Sequence, residues 1–304
     1  MPVRLYGGTE RLVYWLACEF VRRGHEVTVV ARPGSHVPGA RMIFARSPHE
    51  AFSLVPSDAD IVNSHGSTPP VGFGKPCVVT THGNGAPPSD EFNWSFVSRN
   101  HANRHGRQTF VYNGLPPEEH YFSAAKSNRL LFFSRINREG KNVTRAMQLA
   151  IRYDAEMDIA GGRRWELLTR SKVRREGAFW LAGDPRFRFH GMVGGWEKAR
   201  LFAEARALLF PIRWEEPFGL VIIEALLAGT PVMATPCGAL AELISPEVGF
   251  LCGNDDDFGA AFAQIDSIDP HVCRAYAAER FSISRSAIGY LRLYERVLDG
   301  ERLD

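Results

Sequence analysis

A chain of 304 residues exceeds what one hydrophobic core ordinarily supports, and its 45% apolar content is ample for burial, so two domains of roughly 150 residues are expected. The net charge of +2 creates no strong global field, so nothing in it calls for a polyanionic or membrane-surface partner, and no nucleic acid is expected. Five widely spaced cysteines without a Cys-x-x-Cys pair argue against a disulfide framework or a structural zinc, while the absence of a signal-like N-terminus or an apolar run near ~20 residues predicts a cytoplasmic protein, at most peripheral to a membrane.

In chain order, Leu12, Val13, Leu16, Ala17, Phe20 and Val21 recur at helical spacing and predict a helix over 9–23, stopped by Gly24 and followed by a strand at 27–31. Short apolar strands are expected at 60–62, 77–81, 94–97 and 109–112, separated by turn-forming residues. The turn Asn113-Gly114-Leu115-Pro116-Pro117 marks a domain boundary. Beyond it come a strand at 130–133, a helix at 144–151 and strands at 157–160 and ending near 189. A helix at 197–206, a strand at 207–210, a helix at 217–227 and a strand at 231–234 follow. The amphipathic stretch Ile288, Leu291, Leu293, Tyr294, Val297, Leu298 closes the chain. This alternation is that of doubly wound α/β folds.

The strongest local signal is Glu216-Pro217-Phe218-Gly219-Leu220-Val221-Ile222-Ile223-Glu224. Pro217 suits the first position of a helix, which leaves the N–H groups of Phe218, Gly219 and Leu220 available to an anion reinforced by the helix dipole. The eight-residue offset places the carboxylates roughly 12 Å apart along a helix at ~1.5 Å per residue. That reach spans a nucleotide sugar, with one carboxylate for sugar hydroxyls and the other for a ribose diol. A surface helix with acids near its N-terminus would look similar at either glutamate alone.

The complete string resembles the GT-B retaining glycosyltransferases of family 4, whose signature is two glutamates around Pro-Phe-Gly-Leu. Ala225 to Val232, Gly238 and Glu242 continue the pattern. The resemblance implies an α/β GT-B fold: two Rossmann-like domains facing across a cleft. The first would comprise 1–115, with a terminal helix at 284–304 packing back on it, and the donor-binding second would comprise 116–283. Only six residues precede Gly7, so the family's first strand is expected to be missing or shortened.

By the same resemblance, Arg135 and Lys141 after the strand at 130–133 hold the donor diphosphate. The match is imperfect, with Ser134 in place of a usual Gly and Glu139-Gly140-Lys141 out of the common order. The Gly7-Gly8 loop, through Gly8, approaches the donor, and His82 faces its sugar. His82 is preferred to His65, and His101, His105 and His190 have no such context. Val193 reads the base by backbone groups. No acid stands at Gly194 or Gly195 to satisfy guanine, which favours a UDP-sugar over a GDP-sugar. His82, Arg135, Lys141 and Glu216 form the expected catalytic set. Gly8, Val193, Phe218, Gly219, Leu220, Val221 and Glu224 form the expected donor-binding set.

The implied reaction is retaining, metal-independent hexosyl transfer to an unknown acceptor, with no cofactor beyond the nucleotide sugar as co-substrate. Glu216 orients the sugar rather than attacking it. A basic run from Arg163 to Arg175 reads as a solvated face, a phosphate lid or a docking patch for an anionic acceptor. A silent nucleotide-sugar-binding subunit and a GT-B sugar-nucleotide epimerase are the alternatives, and an oligomer is compatible with all three. A dinucleotide-dependent dehydrogenase is disfavoured by the lack of a strand-linked Gly-x-Gly-x-x-Gly.

Overall fold

A computed structural model describes residues 7–85, 89, 91–169 and 177–304. The described chain forms two compact units, one from Gly7–Pro116 together with Phe281–Asp304, the other from Pro117–Arg280. The expected loss or shortening of the first strand concerns residues 1–6, which lie outside the described residues.

In the first unit, α1 (Gly8–Arg22) buries Leu12, Leu16 and Ala17 on one face. The buried carboxylate of Glu19 is satisfied by Arg22 at 2.6 Å and Arg23 at 2.9 Å, as burial of a charge requires. β1 (Thr28–Ala31) pairs in parallel with β2 (Arg41–Phe44), a strand not expected from the sequence, whose apolar run Met42-Ile43-Phe44 is only three residues long and whose ends are exposed. α2 (Pro48–Ser53) is capped by the Ser47 hydroxyl. A second parallel group has the order β3 (Val62–His65), β4 (Cys77–Thr80), β5 (Asn93–Ser95), and α3 (Arg99–Arg104) follows it.

The strand expected at 109–112 does not form. Phe96 and Phe110 make an isolated bridge, in which the Phe96 N–H bonds the Thr109 carbonyl at 3.2 Å and the Val111 N–H bonds the Phe96 carbonyl at 2.8 Å, while the Thr109 N–H (3.2 Å) and hydroxyl (2.9 Å) bond Asp304 instead of extending the ladder. The terminal helix, Ile283–Leu298, turns Ile283, Ala287, Tyr290, Leu293 and Val297 onto Leu16, Val78 and Val111. That periodic apolar face has its burial within this unit.

The second unit is a six-stranded, wholly parallel sheet of β6 (Leu130–Phe133), β7 (Met157–Ala160), β8 (Phe187–Gly191), β9 (Leu208–Phe210), β10 (Val232–Ala234) and β11 (Gly249–Leu251). Its helices are α4 (Val143–Arg152), α5 (Ala178–Leu181), α6 (Gly195–Glu204), α7 (Leu220–Leu227), α8 (Leu240–Leu243), α9 (Asp255–Gln264) and α10 (Pro270–Arg280). The strand order β8-β7-β6-β9-β10-β11 is doubly wound, as the alternation predicted, and reverses direction between β6 and β9. In such sheets the ligand crevice opens at the carboxyl ends of the strands flanking that reversal. Leu130, Phe132, Met157, Ile159, Leu208, Leu209 and Phe210 are essentially inaccessible to solvent, as expected of strands covered on both faces.

The expected helix at 217–227 begins three residues late. α7 starts at Leu220 behind Gly219, whose φ of 104° places it in the left-handed region and interrupts helical continuity. Pro217 is therefore a buried loop residue rather than a first helical position, and the N–H of Ile222 already bonds the Gly219 carbonyl at 2.9 Å. The groups that point out of the helix start are the N–H groups of Leu220 and Val221, while Phe218 lies before it. Glu216 and Glu224 consequently do not share one helix, and their separation is not a multiple of the helical rise.

Candidate functional site

The loops leaving β6 and β9 carry the predicted charged residues to one place. Beyond β6, Ser134 is buried, Arg135 is exposed at the strand end, and a single 3-10 turn, Glu139–Lys141, presents Lys141. Asn142, left-handed at φ 58°, donates from Nδ2 to the Pro211 carbonyl at 2.8 Å, and the Arg213 N–H bonds the Gly140 carbonyl at 2.9 Å. These bonds tie the first loop to the second.

Beyond β9, Glu216 accepts a hydrogen bond from the Lys141 ammonium on Oε2 and another, at 2.9 Å, from the Trp214 indole N–H on the same oxygen. Lys141 also lies over the rings of Phe210 (5.4 Å) and Trp214 (5.5 Å), positions in which a cation is attracted to the ring face. Side-chain exposures of 21% for Lys141 and 14% for Glu216 put this pair between bulk water and the core, where opposite charges attract more strongly than on an open surface.

The Glu216 backbone is held from behind by Gly238. The Ala239 N–H bonds the Glu216 carbonyl at 2.9 Å, and Gly238, at φ 62°, comes so close that a β-carbon would stand 2.3 Å from the Glu216 nitrogen and oxygen. Only glycine fits there.

A second ion pair stands beside the same strand ends. Lys198, in the first turn of α6, donates to Oε1 of Glu224 on α7, with exposures of 15% and 12%. Its ammonium lies 5.3 Å from the ring centre of Phe133, the last residue of β6, and 5.6 Å from that of Phe202. Val193 is buried in the turn from β8 into α6, directly before Gly194, which caps that helix in extended conformation. The structure thus brings Arg135, Lys141, Val193, Gly219, Leu220, Val221, Glu216 and Glu224 to the carboxyl edge of one sheet. Phe218 is buried beside them.

Sequence reasoning missed Lys198 and Trp214. Trp214 stands two residues before Glu216, so proximity alone could have raised it. Lys198 carries no such signal, because only the packing of α6 against α7 makes it a neighbour of Glu224.

The threonine of Gly229-Thr230-Pro231 has a structural role. Its buried hydroxyl donates to the Phe202 carbonyl at 2.5 Å and accepts from Lys126 at 2.9 Å, which joins the C-terminal ends of α6 and α7. In the basic run, Arg164 stacks on Phe179 at 4.7 Å, while residues 170–176 lie outside the described residues. His190 bonds Asp158 at 2.8 Å, and Asp158 in turn accepts from Arg129 at 3.0 Å.

Gly8 and His82 belong to the first unit. Gly8 is the first residue of α1. His82 follows β4, and its Nε2 lies 3.0 Å from Nδ1 of His65. Burial pushes His65 down to about 3, helped by the neighbouring His82, and pushes His82 down to about 4, so both imidazoles are neutral at pH 7. Among the described residues, no group of three or more His, Cys, Asp or Glu is arranged to hold a metal ion, and no helix is long and apolar enough to cross a membrane.

Known proteins resemble this chain in sequence and in fold. Residues 127–267 match the family model described as glycosyl transferases group 1. An uncharacterized 41.2 kDa protein in the cps region of Klebsiella pneumoniae is 33% identical over 114 residues, 35% of this chain and 32% of that protein. The phosphatidyl-myo-inositol mannosyltransferase of Mycolicibacterium smegmatis is 34% identical over 131 residues, 40% of this chain and 33% of that enzyme. The matches thus span about a third of these curated relatives. AviGT4, a glycosyltransferase involved in avilamycin A biosynthesis, superposes with a TM-score of 0.84 at 25% identity, covering 100% of this chain and 94% of that one.

Proposed function

We propose, from the premise that this chain belongs through residues 127–267 to the group 1 glycosyltransferases of GT-B fold, that it transfers a hexose from a nucleotide sugar to an acceptor hydroxyl. The observation that carries the reading is the pairing of both motif glutamates with lysines at the switch point of the parallel sheet. Carboxylates and ammonium groups converging at that edge match a ligand with hydroxyls and phosphates.

In this reading Arg135 and Lys141 neutralise the donor diphosphate, with the N–H groups of Leu220 and Val221, behind the approach left open by Gly219, adding partial positive charge. Lys141 exchanges Glu216 for a phosphate oxygen, which frees the carboxylate to orient the hexose. Glu224, steadied by Lys198, takes the ribose hydroxyls. The backbone at Val193 meets the base, and the lack of an acid at Gly194 and Gly195 favours a UDP-sugar. Gly8 and His82 are assigned to the reacting end of the donor.

Charge neutralisation by Arg135 and Lys141 makes the transfer metal-independent and leaves the nucleotide sugar as sole co-substrate. The sugar's anomeric carbon passes through an oxocarbenium-like state. Its bond to phosphate oxygen breaks while the acceptor oxygen bonds on the same face, and the acceptor proton leaves on the phosphate, so configuration is retained.

Incubating the protein with UDP-, GDP- and ADP-sugars while following thermal stabilisation and nucleotide release tests the reading. UDP-sugars are expected to stabilise most and to release UDP when an acceptor is present. Stabilisation by none of the panel removes the donor site, and binding without turnover towards any acceptor points to a silent subunit instead.

A further inference from the structure

His65 and His82 pair within the first unit, and His65 has no part in the proposed transfer. His65 is the last residue of β3, and His82 follows β4 by two residues. The β3–β4 register, which sets His65 opposite Thr80, brings the two rings within 5.3 Å of each other at an interplanar angle of 24°. His65 is in turn fixed from several sides. The Tyr290 ring of the terminal helix packs edge-on at 6.3 Å, and the Gly66 N–H bonds the Thr80 carbonyl at 2.9 Å. Asn63 bridges the Tyr294 hydroxyl (2.7 Å) and the Thr80 hydroxyl (3.0 Å).

Two neutral imidazoles joined by one nitrogen–nitrogen contact share a single proton there, and its position dictates the far nitrogen of each ring. With Nδ1 of His65 facing Nε2 of His82, both rings adopt the Nε2–H form, the commoner tautomer of a free imidazole side chain, only if His82 donates. The reverse direction forces both rings into the rarer form.

We propose that His65 is the positioning residue of His82: it accepts the His82 Nε2–H bond and thereby holds the Nδ1 of His82 as a bare acceptor turned toward substrate. A hydroxyl group is the matching ligand for such a nitrogen, since it donates without bringing charge into a low-dielectric site. This inference rests on the reading of His82 as a residue that touches substrate.

The test combines imidazole 15N spectra with kinetics for wild type, His65→Phe and His65→Gln, each checked for an unchanged melting temperature. Wild-type His82 is expected to carry its proton on Nε2. His65→Phe is expected to scramble that tautomer and lower kcat roughly tenfold with donor KM within about twofold, as loss of one orienting hydrogen bond implies. His65→Gln, whose amide oxygen can still accept, is expected to restore most of both. A His82 proton on Nδ1 overturns the inference whatever the activity. So does an unaltered kcat in His65→Phe. Correct spectra in a wild-type protein that binds no nucleotide sugar refute the proposed function while leaving the ring pairing in place.

Discussion

The ammonium of Lys198 rests on the carboxylate of Glu224, joining the first turn of α6 to the second turn of α7 beside the end of β6. Both groups are largely shielded from solvent, so each is the other's principal source of compensation. Replacing one alone leaves a half-buried charge unpaired. Lys198→Met is expected to lower unfolding stability by about 2 kcal/mol, and the double variant Lys198→Met with Glu224→Leu to recover most of it, as denaturant midpoints would report. Equal stability of the single and double variants would show that the pair is compensated by water instead.

If Glu224 takes the ribose hydroxyls, Glu224→Ala weakens UDP binding by about tenfold or more without altering the fold. Isothermal titration with UDP isolates this effect from sugar recognition. Unchanged affinity refutes the assignment of Glu224.

Glu216 receives Lys141 and Trp214 on one oxygen, which predicts graded losses. If Glu216 orients the hexose as proposed, Glu216→Ala lowers kcat by about a hundredfold through the lost orientation of the reacting sugar. Trp214→Phe, which removes only the indole N–H, is expected to cost about tenfold in kcat/KM, near the contribution of one hydrogen bond to a charged group. Parallel kinetics with a fixed donor and acceptor check the ranking, and a Trp214 effect larger than that of Glu216 contradicts it.

Gly238→Ala meets two obstacles at once: a left-handed backbone and a 2.3 Å clash with the Glu216 backbone. The expected outcome is a loss of about 2 kcal/mol or more, together with donor affinity, because the strain displaces Glu216 itself. A melting curve and a nucleotide titration on the same sample read both. An alanine variant that binds donor normally would show that the Glu216 loop has slack.

Three histidines of the first unit impose a pH dependence on stability. Burial pushes His65 down to about 3 and both His82 and His101 down to about 4, all below the ordinary value of about 6.5 that applies when the chain unfolds. Between those limits the unfolded chain binds more protons than the folded one, so stability falls as pH drops. The loss begins near pH 6.5 and grows by about 1.4 kcal/mol per pH unit for each histidine down to about pH 4. Denaturant unfolding at pH 7 and pH 5 measures it, and His101→Phe should flatten the slope by one histidine's share.

Much of the second unit was legible in the sequence because its strands are mostly apolar, with Asp158, Arg188 and His190 the polar exceptions in β7 and β8, and its helices keep a helical period. Leu130 to Phe133 and Met157 to Ala160 lie where expected, since burial on both faces leaves little freedom in composition. The first unit was harder. The apolar run of β2, Met42-Ile43-Phe44, is only three residues long, and 109–112 has strand composition but pairs through a single bridge to Phe96 while Thr109 bonds the chain's end.

By itself the sequence determined the class of fold and offered Glu216 and Glu224, from one local string, and Arg135 and Lys141, through family resemblance, as candidates for the site. Tertiary structure alone decided that Gly219 delays the helix, that Lys198 and Trp214 steady the two glutamates, and that His65 meets His82. Each of those relationships joins residues through backbone torsion or through packing between separate elements. The energies that select them arise only when strands and helices close upon one another, where periodicity along the chain has no bearing.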